Sequence, residues 1–361
     1  MPSTVDQLER EFATQFGFAG SVATGFGRAA LLLALETIDV RDGDVLLPNF
    51  VCAQVTEAIT RAGGKPIFYP VKSELSVRPP EFGAALTPET RAAIAVHYYG
   101  RTLPSISAIA EICNGRRVPL IEDCALAFGA HNVGKHCEIA AFSLTKSDWC
   151  YGGGLLAARS KELLERAKQL RDAKFRSAVG LTFLYGLLRR ADYLSNRPAR
   201  SRVAETAGRA LERFAGLSET GFYDAGCFDT KMTGFAVRRA RRLLAKLPAI
   251  TARRRRIVDS ICESLGPARR ILPRPESSAE DSCAFLLLKC EPGKAIAWRE
   301  RAARAGIALR HCWPAYQLIA PAQTSTAMHW LAENFLILEI HPRLTEVEVQ
   351  RIVDCLKDFA A

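Results

Sequence analysis

Val118-Pro-Leu-Ile-Glu122-Asp123 is a short apolar run ending in two carboxylates, and Ile139-Ala-Ala-Phe-Ser143-Leu-Thr-Lys146 is a second run ending in a lysine. Gly152-Gly-Gly-Leu-Leu-Ala-Ala158 then enters a third apolar run through a glycine turn. Runs this short, bounded by turn residues, read as buried strands. In a parallel sheet the C-terminal strand ends gather at one edge, and ligands bind outside that edge. An Asp and a Lys leaving neighbouring strands there are what pyridoxal phosphate chemistry requires. The amine forms a Schiff base with the cofactor aldehyde, and the carboxylate keeps the pyridine nitrogen protonated so that the ring accepts electrons. Lys146 and Asp123 are therefore the candidate catalytic residues.

The same alternation continues on both sides. Asp44-Val-Leu-Leu-Pro48, Pro66-Ile-Phe-Tyr69 and Ala93-Ile-Ala-Val-His97 read as further strands. Leu8, Phe12 and Phe16 stand at helical spacing before Gly17, and helices are expected at 29–37, 53–62, 79–85, 105–114 and 161–174. Strands alternating with helices indicate an α/β domain with a largely parallel sheet. Further on, the pattern predicts a helix over 234–247 ended by Pro248, a second over 250–265, and strands near 283–290 and 333–340. A closing helix over 345–359 opens with a Thr345–Glu348 capping box. The organisation expected is a large domain, 1–247, and a smaller α+β domain, 248–361. A basic, Pro-interrupted insertion interrupts the first at about 175–225.

Composition narrows the function. The chain has 361 residues, enough for two domains at roughly 150 residues each. Hydrophobic residues make up 48% and charged residues 24%, close to globular averages. No apolar stretch approaches the roughly 20 residues of a membrane-spanning helix, and residues 1–10 carry no readable signal peptide, so a cytoplasmic location is expected. Lys and Arg number 49 against 38 Asp and Glu, a net +11 that suits an anionic metabolite. No nucleic-acid-binding signature accompanies it. The eleven Cys show no C-x-x-C pair and no metal-ligand spacing, so buried reduced thiols and no metal are expected. Arg238–Arg242 and Arg253–Arg256 read as solvated helix faces.

Gly27-Arg28-Ala29 lies at a helix N-terminus, where unpaired N–H groups and the helix dipole favour an anion such as the cofactor phosphate. Ser143 could add a hydroxyl. Each residue also has a plainer reading: Asp123 as a strand-end cap, His97 as a satisfied structural histidine, the 152–154 glycines as a tight turn.

These segments, in order, resemble the DegT/StrS family of pyridoxal-phosphate-dependent sugar aminotransferases, of aspartate-aminotransferase type I fold. The resemblance runs through Gly27-Arg-Ala-Ala-Leu31, Gly43-Asp-Val-Leu-Leu-Pro48, Val96-His-Tyr-Tyr-Gly100, Ile121-Glu-Asp-Cys-Ala125, Phe142-Ser-Leu-Thr-Lys146, Lys231-Met-Thr233 and His341-Pro-Arg-Leu-Thr345. It implies a seven-stranded, mostly parallel sheet sandwiched by helices, with pyridoxal 5′-phosphate bound to Lys146 and Asp123 on the pyridine nitrogen. Gly27, Arg28, Ala29 and Ser143 would hold the phosphate. The family often has Gln where this chain has Leu126, a stacking aromatic where it has Cys52, and Asn where it has Asp229. By position, His97, His311 and Trp313 are candidates to meet substrate.

The function implied is transfer of an amino group from an amino acid, glutamate by expectation, to a keto-sugar, most simply a nucleotide-linked one. The resemblance also implies a homodimer with a shared active site. Two alternatives stand beside it: a catalytically degenerate relative acting as regulator or scaffold, and an enzyme on a non-sugar substrate. The apolar-then-basic stretch 178–202 fits a dimer contact or lid, and also a weak contact with a membrane surface.

Overall fold

The computed structural model describes residues 3–146, 152–177, 179–180, 228–273, 280–311, 313 and 326–360. The chain opens with helix α1 (Thr4–Phe16), capped by Ser3 and ended by Gly17 in the left-handed conformation. Strand β1 (Gly20–Thr24) leads to α2 (Gly27–Ile38), and β2 (Asp44–Pro48), α3 (Ala53–Arg61), β3 (Lys65–Tyr69) and α4 (Pro79–Ala85) follow. Then come β4 (Thr90–Val96), α5 (Ile106–Arg116), β5 (Leu120–Asp123), β6 (Ile139–Ser143), β7 (Gly154–Ala158) and α6 (Lys161–Lys174).

These strands form one seven-stranded sheet in the order β1-β7-β6-β5-β4-β2-β3. All neighbours run parallel except β7, which is antiparallel to both β1 and β6. Strands β5, β6 and β7 are buried along their whole length, as continuous apolar runs covered on both faces must be. The expected α/β class and mainly parallel sheet are what the structure has. Strand β1 was not anticipated: Gly20-Ser-Val-Ala-Thr24 is short and buried throughout, so it shows no alternation to read.

Beyond β8 (Arg176–Ser177) and β9 (Thr230–Lys231), which pair in parallel, a single helix α7 runs from Gly234 to Leu265. Pro248 lies inside it and does not end it, which corrects the expectation of two helices. Proline removes one intrahelical hydrogen bond, but apolar residues on both sides are buried. Leu243, Leu244 and Leu247 join the core around the large sheet, whereas Ile257, Val258 and Ile261 join a second core. Burial of both halves outweighs the local defect, and α7 carries the chain from one core to the other.

The second core is built on a three-stranded antiparallel sheet, β10 (Phe285–Lys289), β12 (Phe335–Glu339) and β11 (Leu309–His311), in that order. The helices Ala295–Arg304 and Glu346–Ala360 pack with it. Thr345 and Glu348 make the expected capping box.

The α7 arginines are solvated only in part: Arg238, Arg242 and Arg256 are exposed as expected, whereas Arg241, Arg253 and Arg254 are held by partners. Arg241 makes a two-pronged pair with Glu11, at 2.9 and 2.7 Å. Arg253 and Arg254 donate to the carbonyls of Leu344 and Ile340, at 3.2 and 2.9 Å, and Arg254 is buried. A guanidinium can satisfy carbonyls that end the elements packed against it while its stem lines the core. The stretch 178–202 lies, apart from Val179 and Gly180, outside the described residues, as does most of the 175–225 insertion. Among the described residues no helix is long and apolar enough to cross a membrane. The described cysteines are all unpaired, and all but Cys52 are buried.

Candidate active site at the C-terminal edge of the sheet

Asp123 ends β5 and Ser143 ends β6, so parallel pairing brings both to the same edge. Asp123 is nearly buried. Its Oδ1 accepts the Ala125 N–H at 2.9 Å, and no hydrogen bond to Oδ2 is found among the described residues. Burial pushes its carboxyl above the ordinary value, while the positive charge of Lys146 and the Ala125 N–H pull part of the way back. Lys146, half-buried, follows three residues after Ser143. The acid and the amine predicted from sequence thus come together electrostatically. A buried carboxylate with one oxygen unmatched suits a cationic N–H partner, which fits the protonated pyridine nitrogen of the expected cofactor.

The N-terminus of α2 abuts the same edge. A Cβ placed on Gly27 would lie 2.7 Å from Ser143 Cβ and 3.1 Å from its Oγ, so only glycine lets the helix start approach the serine so closely. Phe26 stands at the N-cap and offers no side-chain cap. An uncapped helix start beside a hydroxyl is the arrangement a phosphate requires. Ser143 Oγ also lies 3.0 Å from Thr145 Oγ1, a neighbour the sequence reading passed over.

Two members of the expected cradle are placed otherwise. The Ala29 N–H is spent on Phe26 O at 3.0 Å, and Arg28 donates from Nη1 to Gln54 Oε1 at 2.9 Å. The Arg28 guanidinium also stands 5.8 Å from the ring centres of Phe26 and Phe228. The triple glycine closes the site from below. Gly152 and Gly153 have positive φ, and the Gly153 N–H donates to Gly25 O. A Cβ on Gly154 would fall 2.1 Å from Phe26 O, so β7 passes directly beneath the α2 cap.

Asp229 immediately precedes β9, beside this loop: Gly25 N–H donates to Thr230 O at 2.6 Å. Its carboxylate pairs with Arg176 Nε at 3.2 Å, which offsets its negative charge. Leu126 is buried in the large core, and Cys52 is the half-buried N-cap of α3. Near Cys52, Phe50 packs edge-on against Trp313 at 4.9 Å, and Tyr98 donates to Phe50 O at 2.8 Å. Trp313 therefore reaches the aromatics just past the ends of β2 and β4. His311 bonds through Nδ1 to Ala332 O at 3.1 Å, in the helix Thr326–Asn334 that leads into β12, and burial, then Arg299, lowers its pKa.

His97 is fully buried, with Nε2 2.7 Å from Glu122 Oε2 and Nδ1 accepting the Leu103 N–H at 2.9 Å. Both ring nitrogens are engaged by the protein, as the plainer reading of His97 as a satisfied structural histidine has it, and neither is left for a substrate. Glu122 was not singled out from sequence, where it is one letter beside Asp123. His97, Glu122 and Cys124 offer ligand atoms within 4.8 Å of one another. Both Glu122 oxygens, however, already take N–H donors, so the cluster is saturated by the protein.

The family model of the DegT/DnrJ/EryC1/StrS aminotransferases matches residues 2–185. A dTDP-3-amino-3,4,6-trideoxy-alpha-D-glucose transaminase of Micromonospora megalomicea subsp. nigra is 34% identical over 177 residues, 46% of this chain and 47% of that protein. A UDP-N-acetyl-3-dehydro-alpha-D-glucosamine 3-aminotransferase of Acidithiobacillus ferrooxidans is 36% identical over 176 residues, 46% and 47% of the two chains. The matches thus span about half the length of these curated relatives. In fold, the likeness is end to end. The crystal structure of the aminotransferase TlmJ from Streptoalloteichus hindustanus superposes with a TM-score of 0.74 at 21% identity, covering 99% of this chain and 90% of that one. With the edge geometry and the family match in agreement, this chain belongs to the DegT/DnrJ/EryC1/StrS aminotransferase family.

Proposed function

We propose that this protein is a pyridoxal 5′-phosphate-dependent aminotransferase that moves an amino group from glutamate to a keto-sugar carried on a nucleotide. The observation that carries this reading is the meeting of buried Asp123, Lys146 and the Gly27–Ser143 contact at one sheet edge. The names of the two curated relatives, both nucleotide-sugar transaminases, support the substrate class. The basic balance of the chain suits a diphosphate-bearing acceptor.

The cofactor, when bound, supplies an aldehyde for the lysine amine and a ring that accepts an electron pair. The protein does the rest. The α2 start and the Ser143 hydroxyl hold the phosphate, and Asp123 keeps a proton on the pyridine nitrogen. The Lys146 amine would be the base that takes the proton from the donor's α-carbon. A homodimer with a shared site belongs to the same reading.

The test is the visible absorption spectrum of the protein with pyridoxal phosphate, before and after glutamate, with Lys146→Ala alongside. A band that glutamate bleaches, and that the variant cannot form, supports the reading. A protein that forms no band, or one indifferent to both, is not a transaminase, and the scaffold alternative takes its place.

A further inference from the structure

We propose that Glu122 is a positioning residue that, through His97, holds Asp123 in line with the pyridine nitrogen of the cofactor; this rests on the cofactor reading above. Successive strand residues point to opposite faces, so Glu122 lies on the reverse side of β5 from the Asp123 carboxylate. There it gathers three donors. Oε2 accepts from His97 Nε2 at 2.7 Å and from the Gly134 N–H at 2.5 Å, and Oε1 accepts the His136 N–H at 2.7 Å.

The tautomer of His97 follows from its other side. Nδ1 accepts the Leu103 N–H at 2.9 Å, so it carries no proton, and Nε2 is the donor to Glu122. The backbone N–H of His97 in turn donates to Asp123 O at 3.1 Å. His97 therefore grips β5 at two successive residues, by its ring at Glu122 and by its backbone at Asp123. The end of β4, the turn to Leu103 and the loop that precedes β6 all converge on one buried carboxylate, next in sequence to Asp123.

Packing alone does not call for this arrangement, because apolar side chains of similar volume are often equally stable in place of a buried charged network. A fully satisfied network instead selects one geometry. Here that geometry is the position of the strand end that bears Asp123. His97 and Glu122 touch neither cofactor nor substrate, so their effect on binding must pass through the ring nitrogen contact.

The experiment compares two ligands on the apo-protein: pyridoxal phosphate, and its 1-deaza analogue, in which carbon replaces the pyridine nitrogen. Affinities are read by spectroscopic titration for the wild-type chain and Glu122→Gln, with thermal unfolding to confirm that each is folded. The variant is expected to lose about tenfold in affinity for pyridoxal phosphate, the scale on which supporting-residue changes usually act. It should bind the analogue within about twofold of wild type. Equal losses for both ligands, or none for either, would overturn the proposal. Should Glu122→Gln not fold, His97→Asn, which keeps an acceptor for Leu103 but loses the donor to Glu122, is read the same way. A wild-type chain that binds neither ligand refutes the cofactor reading instead.

Discussion

Gly27 and Ser143 touch so closely that a single methyl on the glycine would stand 2.7 Å from the serine Cβ. The first residue of α2 is thereby seated on the last residue of β6, and the helix start shares its position with the serine hydroxyl. Gly27→Ala must push the two elements apart. Overpacking of this kind costs about 1–3 kcal/mol, and the phosphate cradle widens with it. We expect a lower thermal midpoint and at least about tenfold weaker pyridoxal phosphate binding. An alanine variant that binds the cofactor as tightly as wild type would show that this contact does not shape the site.

Asp123 and Glu122, adjacent in sequence, should respond to pH in opposite senses. Burial raises the Asp123 carboxyl, with Lys146 and the Ala125 N–H offsetting only part. A raised carboxyl holds its proton in the folded chain after the unfolded chain has released it. Stability is therefore lost as pH rises from the ordinary carboxylate range through the raised value. In the cofactor-free protein, Asp123→Asn should be at least as stable as wild type at neutral pH, with the difference shrinking toward about pH 4. Thermal unfolding across that range checks it.

For Glu122, burial also works upward. The hydrogen bond from His97, with the His136 and Gly134 N–H groups, outweighs it and leaves the carboxyl below its ordinary value. Its contribution is complete above the ordinary carboxylate pKa and fades as pH falls through the lowered one. Glu122→Gln should cost about 1–3 kcal/mol at neutral pH, because an amide accepts at one end only and leaves a buried N–H donor unmatched. The gap to wild type should narrow on acidification, and a gap that is constant with pH would contradict the assignment.

Pro248→Ala should stabilise the chain. Proline within a helix costs about 3 kcal/mol relative to alanine in an unstrained interior, and here it sits in α7 between two buried apolar stretches. A rise in thermal midpoint without a change in cofactor binding is the expected result. A fall would mean that the helix requires the proline at the joint between the two cores.

Arg176→Ala should separate stability from binding. The Arg176–Asp229 pair is exposed, at 64% and 44%, and exposed pairs contribute about 0–1 kcal/mol. Its loss should barely move the thermal midpoint. It leaves the Asp229 carboxylate unbalanced beside the Gly25–Thr230 contact, however, so pyridoxal phosphate should bind more weakly, and most clearly at low salt. Unchanged binding at low salt would remove Asp229 from the neighbourhood of the phosphate.

Much of the large domain was legible in local pattern. The apolar runs that end in Asp123 and in Ser143-Leu-Thr-Lys146 are strands because nothing else of that length buries so completely, and parallel pairing then dictates that their ends meet. Gly27 was readable as a helix start and the glycines at 152–154 as a turn into a strand, but not how closely the two approach. What local pattern could not supply was any relationship set by distant partners. The continuity of α7 through Pro248 depends on two separate cores burying its two halves. Arg254 is an ordinary basic residue in sequence and becomes a buried cap only because Ile340, just past the end of β12, lies beside it. Glu122 and His97 stand 25 positions apart; only the pairing of β4 with β5 makes them neighbours. Periodicity and turn chemistry are properties of adjacent residues and so determine the elements, whereas a side chain's partner depends on which element packs against it, and that is decided only when the cores close.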